Sequence, residues 1–120
     1  MKLEHFALNV AEPQKLMDWW CANLGFTQTH PAFIVDETGK VAIEIYRNDS
    51  AAIPDYSKTA PFTLHVAFLS DDVEADRQRL EKAGATTLEV VHKEDFDMVM
   101  MRDPFGIPIQ FVKRAKSILL

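Results

Sequence analysis

Residues 63–70, TLHVAFLS, repeat at a distance of 60 positions what residues 3–10, LEHFALNV, already present: a short extended run with histidine, His5 or His65, in third place. Side chains of a strand alternate between its two faces. Leu3, His5, Ala7 and Asn9 therefore share one side of the first run, and Glu4, Phe6, Leu8 and Val10 the other. In the second, Leu64, Val66 and Phe68 oppose His65, Ala67 and Leu69. Each run leads into an amphipathic helix. QKLMDWWCANLG sets Leu16, Met17, Trp19, Trp20 and Leu24 at helical spacing and stops at Gly25. VEADRQRLEKAG follows a capping Asp71 or Asp72, carries Val73, Leu80 and Ala83 on its apolar stripe and stops at Gly84, 59 residues after Gly25. The chain of 120 residues thus reads as one pattern written twice.

Extended segments complete each half. Phe33 to Val35, a turn at Glu37-Thr38-Gly39 and the strand VAIEIY at 41–46 follow the first helix; strands around Asp97–Met101 and Ile107–Lys113, joined by Asp103-Pro104-Phe105-Gly106, follow the second. Arg47 to Pro61, rich in Asp, Ser, Ala and Pro, reads as a connecting loop with room for a short turn of helix. The expected fold is α+β: a single domain over residues 1–120 whose two βαβββ modules, about 1–50 and about 62–114 with the loop at about 47–61, form a curved mixed sheet around a cavity.

Strand parity carries the functional inference. If Phe6, Ile43, Ile45, Leu64, Val66, Ile109 and Phe111 pack beneath the helices, the opposite face receives His5, Glu44, His65 and Gln110. Neutral imidazole with carboxylate and amide oxygen suits a divalent metal such as zinc, nickel, manganese or iron. Two ligands per half give that site pseudo-twofold symmetry. Taken singly, each residue has a plainer role: a mid-strand histidine held by hydrogen bonds, or a Glu or Gln facing water. Tyr46 shares the face of Glu44, as a substrate-pocket residue at the cavity mouth or as a packed aromatic with its hydroxyl in solvent.

Composition narrows the partners. Hydrophobic residues make up 48% and charged residues 26%, as in ordinary soluble globular proteins. The formal net charge of −5, without a basic run, argues against nucleic acid. No apolar run approaches membrane-spanning length, and Glu4, His5 and Asn9 interrupt what a signal peptide would keep apolar, so neither a membrane nor secretion is expected. The single cysteine, Cys21, fits a reducing cytoplasm and reads as a small buried residue. Met98, Met100 and Met101 form an adaptable pocket wall or plain core, and His30 and His92 lie at the surface. Arg47 and Arg102 either grip an anionic substrate or form exposed salt bridges.

Taken together, LEHFALNV, a Trp-rich helix ending in LGF, AIEIY, LHVAF, a helix ending in KAGA, and RDPFGIPIQFV resemble the vicinal oxygen chelate superfamily of glyoxalase I, extradiol dioxygenases and bleomycin resistance proteins. The resemblance implies paired βαβββ modules enclosing a ligand cavity, with metal ligands on the first and last strands of each module, positions that His5, Glu44, His65 and Gln110 fill. It departs from the family's metal enzymes at the last position, usually a carboxylate. An amide binds through oxygen but accepts no proton, which leaves Glu44 as the one catalytic base next to the metal. The implied activity is that of a glyoxalase-like, divalent-metal-dependent lyase or isomerase, moving a proton next to a carbonyl in a small oxygen-bearing substrate. The alternative is a metal-free protein that binds or sequesters a small molecule, of the bleomycin-resistance type. A homodimer is expected from the resemblance and from the apolar tail Ile118-Leu119-Leu120; the metal's ligands then come from one chain or from two, and use of a thiol cofactor such as glutathione stays open.

Overall fold

The computed structural model describes all residues, 1–120. The chain forms two compact units, Met1–Pro54 and Asp55–Leu120, each a βαβββ module. In the first, β1 (His5–Asn9) leads to α1 (Pro13–Leu24), β2 (Thr27–His30), β3 (Phe33–Val35) and β4 (Ala42–Tyr46), and the sheet order is β1-β4-β3-β2. Proline suits the start of α1 because its missing N–H has no helical acceptor there, and Gly25, at φ 75°, supplies the left-handed residue that ends the helix. β1 runs parallel to β4 with Phe6 beside Ile43 and Leu8 beside Ile45, while Ile34 of β3 stands beside Ile43. Leu8, Ile34, Ile43 and Ile45 are buried on this face, as are Leu16, Met17 and Trp20 of α1. Each such side chain contributes about 1.5–3 kcal/mol by leaving water.

The second unit opens with a 3-10 helix (Tyr56–Lys58), then β5 (Val66–Leu69), α2 (Val73–Lys82), β6 (Thr86–Lys93), β7 (Phe96–Arg102) and β8 (Pro108–Arg114), in sheet order β5-β8-β7-β6. Asp72 caps α2 by accepting a hydrogen bond from the Ala75 N–H at 3.0 Å. The register places Val66, Ile109 and Met101 on one face with Phe68, Phe111 and Val99. Val99, Met101, Ile109 and Phe111 are buried there, with Val73 and Leu80 buried on α2. The Phe68 and Phe111 rings stack at 5.5 Å. Between β7 and β8 the buried Asp103 carboxylate accepts from the N–H groups of Phe105 and Ile107, both at 2.9 Å, and its backbone accepts from Gly106, which closes the turn.

Three sequence expectations change. β2 and β6 were not anticipated as strands: both are sheet edges, β2 is exposed throughout and β6 nearly so, and an edge wet on both faces has no apolar alternation to show. Phe6 keeps its predicted face but is 36% exposed, near the open start of the edge strand β1. Leu64, 39% exposed, and His65 precede β5 rather than belonging to it, because residues 61–64 coil into turns.

Gly106 lies at φ 90°, and a Cβ there would stand 2.5 Å from the backbone nitrogen of Ser57 in the 3-10 helix. Gly39, at φ 69°, has open space around it. Gly39→Ala is expected to cost about 1–2 kcal/mol for the left-handed backbone alone, and Gly106→Ala measurably more, in denaturant unfolding at pH 7. On α2, hydrogen bonds from Arg77 and Gln78 hold the Glu74 carboxyl at about 2, down from 4.5. A lowered folded-state value stabilises the protein above about 4.5 and loses that contribution as pH falls toward 2. Unfolding midpoints of the wild type and Glu74→Gln should therefore differ at neutral pH and converge toward pH 2.

Candidate functional site

The register that buries Ile43 and Ile45 turns Glu44 and Tyr46 to the other face of the first unit, beside Ala7 and Asn9 of β1, with His5 beside Ala42. His5 and Glu44 meet on this face: Nε2 of the imidazole lies 3.5 Å from Oε2 of the carboxylate, with 35% and 30% of the side chains exposed. The other nitrogen of His5, Nδ1, lies 2.9 Å from Glu4 Oε1. The Phe33 ring stands edge-on to the imidazole at 5.5 Å. An imidazole has a carboxylate at each nitrogen here. A single ring proton satisfies Glu4 at Nδ1 and leaves two lone pairs, on Nε2 and Oε2, facing one another. Such a pair of lone pairs has the geometry to share a metal cation.

In the second unit His65 is half-buried, and its Nδ1 donates to the carbonyl oxygen of Pro61 at 2.8 Å. A carbonyl only accepts, so the proton sits on Nδ1 and Nε2 keeps its lone pair. Gln110 stands beside Ala67 of β5 and Met100 of β7, half-buried, and its side-chain amide has no partner in the protein. Met98, Met100 and Val112 form a buried apolar cluster on the same face, with Val91 and Phe96 packed against it.

The structure thus brings His5 and Glu44 together, and no third His, Cys, Asp or Glu joins any such pair in a metal-holding group. Within the second unit, His65 adds an Nε2 lone pair and Gln110 an amide oxygen. In kind, the donors fit a divalent cation: imidazoles whose second nitrogen is already tied to a carboxylate or carbonyl, one carboxylate and one neutral oxygen. Other candidates have settled uses. Arg47 donates to Asp49 at 2.9 Å and to the Ala11 carbonyl at 3.4 Å, and Arg102 donates to three backbone carbonyls, so both are committed within the protein rather than reserved for an anion. Burial pushes the Cys21 thiol above its ordinary value, which keeps it protonated and unreactive. His30 and His92 are exposed, as expected. Sequence reasoning gave Asn9 no task. It donates to the carbonyls of Asn48 and Ala52 at 2.9 and 3.0 Å and accepts from the Asn48 N–H at 2.7 Å, which ties the loop after β4 down beside Tyr46. Its place on the face of His5 was the one available signal.

A protein-family model described as Glyoxalase/Bleomycin resistance protein/Dioxygenase superfamily matches residues 2–111. Solved structures share the fold. A glyoxalase family protein from Bacillus cereus superposes with a TM-score of 0.79 at 15% identity, over 97% of this chain and 95% of that one. TnmS3, an antibiotic binding protein from Streptomyces sp. CB03234, gives 0.71 at 18% identity, over 95% and 96%. Oxidase ChaP-H2 gives 0.70 at 20%, over 95% and 94%. No curated protein matches the chain in sequence. No helix is long and apolar enough to cross a membrane.

Gln110 is half-buried, and its amide, which has no partner in the protein, is left to solvent beside the buried methionines. Gln110→Met, close in length and apolar like its neighbours, is expected to change the unfolding free energy by less than about 1.5 kcal/mol, read from denaturant titrations.

Proposed function

The chain belongs to the glyoxalase/bleomycin resistance protein/dioxygenase superfamily, and on that premise we propose that it is a divalent-metal-dependent enzyme, a lyase or isomerase, that moves a proton next to a carbonyl in a small oxygen-bearing substrate. The observation that carries this reading is the His5–Glu44 pair, an imidazole nitrogen and a carboxylate oxygen 3.5 Å apart on the helix-free face. His5, Glu44, His65 and Gln110 hold the cation, which is zinc, nickel, manganese or iron. A bound cation of this kind supplies Lewis acidity to the carbonyl oxygen of the substrate.

The protein's own groups do the remaining work. Glu44 is the catalytic base: its carboxylate accepts no hydrogen bond from the protein and has a lone pair free for a carbon-bound proton. Gln110 binds through its carbonyl oxygen and carries no proton, so a single carboxylate both takes up and returns it. Tyr46, two residues along the same face, lines the substrate pocket. The same proposal places the protein in the cytoplasm as a homodimer, for which the exposed Leu69 and Phe62 and the tail residues Ile118 and Leu119 offer apolar surface.

A second reading, a metal-free protein that binds or sequesters an organic molecule, draws on the Met98, Met100 and Val112 cluster beside Gln110. Methionines adapt their shape to an apolar guest, and an antibiotic binding protein is among the chains that share this fold.

Elemental analysis after dialysis against a weak chelator, then against zinc, nickel, manganese or ferrous iron, separates the two. Near-stoichiometric metal in the wild type, lost in both His5→Ala and His65→Ala, is the expected result. Metal in none of the samples would transfer the assignment to the binding protein. With a substrate in hand, Glu44→Gln is expected to lower kcat by about 10²–10⁴-fold while the circular dichroism spectrum and unfolding midpoint stay near those of the wild type.

A further inference from the structure

The Pro61 carbonyl that fixes His65 belongs to a segment with its own anchor. Residues 60–64 turn on the Ala60 carbonyl, which accepts from the Thr63 N–H at 2.9 Å, and directly before them stands the 3-10 helix Tyr56–Lys58. Arg102, at the end of β7, reaches this strap. Its Nη1 donates to the Tyr56 carbonyl at 2.9 Å and to the Gly106 carbonyl at 3.0 Å, and its Nη2 donates to the Thr59 carbonyl at 2.9 Å. The guanidinium is half-buried and, after the hydrogen bond from Ser57, its charge helps hold the Asp55 carboxyl at the head of the strap below the ordinary carboxylate value. Gly106 closes the other side, with room for hydrogen but not for a methyl group against Ser57.

We propose that Arg102 is a positioning residue for His65: by pinning the strap at Tyr56 and Thr59 it holds the Pro61 carbonyl against Nδ1, which selects the imidazole tautomer whose Nε2 is free to bind. Neutral histidine in water favours the opposite tautomer, with the proton on Nε2, so a fixed acceptor must impose this one. A planar fork with five donors can span three carbonyls from two elements, whereas the single ammonium of lysine cannot hold the same geometry. The proposal rests on His65 being a ligand only for its functional consequence. Selection of the tautomer is a property of the metal-free protein.

The test is long-range proton–nitrogen correlation NMR on uniformly labelled, metal-free protein, at a pH where the imidazoles are uncharged, for the wild type, Arg102→Ala and Arg102→Lys. The wild type should show His65 protonated at Nδ1. Both variants should shift His65 toward the Nε2-protonated form, leaving His5, His30 and His92 and the amide spectrum of β5 to β8 in place; Arg102→Lys serves if Arg102→Ala does not fold. Zinc affinity of Arg102→Lys should fall by about 10–100-fold. An Nε2-protonated His65 in the wild type, or an unchanged His65 signature in a folded variant, would overturn the proposal. Failure of the wild type to bind any metal would instead overturn the enzyme reading, and the tautomer result would stand or fall separately.

Discussion

Pairing between the first and last strand of each unit sets which residues are polar surface and which are core. Phe6 and Leu8 lie beside Ile43 and Ile45, and Val66 and Phe68 lie beside Ile109 and Phe111. Because side chains alternate along a strand, burying those partners under α1 and α2 turns Glu44 and Gln110 to the helix-free faces. A slip of one residue in either ladder would put a carboxylate or an amide under a helix and an isoleucine in water. The burial of Ile43 and Ile45, with exposures of 2% and 1%, is therefore also what aims Glu44.

The two units use the same register for different surfaces. On the first, Ala7, Asn9 and Ala42 surround the His5–Glu44 pair, with small or polar side chains that leave the charged groups accessible. On the second, Gln110 is set among Met98, Met100 and Val112, and β7 has four successive buried residues, Met98 to Met101. One module thus offers charge, and the other offers a soft apolar wall with a single amide in it.

Most of the architecture was legible because it follows from two periodicities. Alternation marked Ile43-Glu44-Ile45 and Ile109-Gln110-Phe111, helical spacing marked Leu16, Met17 and Trp20, and the repeat of His5 at His65 revealed the duplicated module. The same alternation turned Glu44 and Gln110 to the helix-free faces, whereas His65 lies in the coil just before β5, where no strand parity applies. What stayed hidden depends on neighbours distant in sequence or on solvent. β2 and β6 gain their strand form from a single partner, and their exposed residues carry no burial pattern. The carbonyl that fixes His65 comes from Pro61, a residue without a side chain able to advertise it. Arg102 read as a grip for an anionic substrate or as an exposed salt bridge because nothing local predicts three backbone carbonyls converging on it from separate segments.

The parallel pairing also bears on how the chain acquires its shape during synthesis. His5 pairs across from Ala42 and Val66 across from Ile109, separations of 37 and 43 residues, so the first strand of each unit emerges from the ribosome long before its partner exists. The intervening hairpins, β2 with β3 and β6 with β7, are local and can close early. β1 and β5 must wait, with hydrogen-bonding edges bare. Both are short, five and four residues, and β1 carries His5 and Asn9 within it, features that make a waiting strand a poor template for a neighbouring nascent chain. The polar residues of the first strand also guard the most vulnerable interval in the life of the polypeptide.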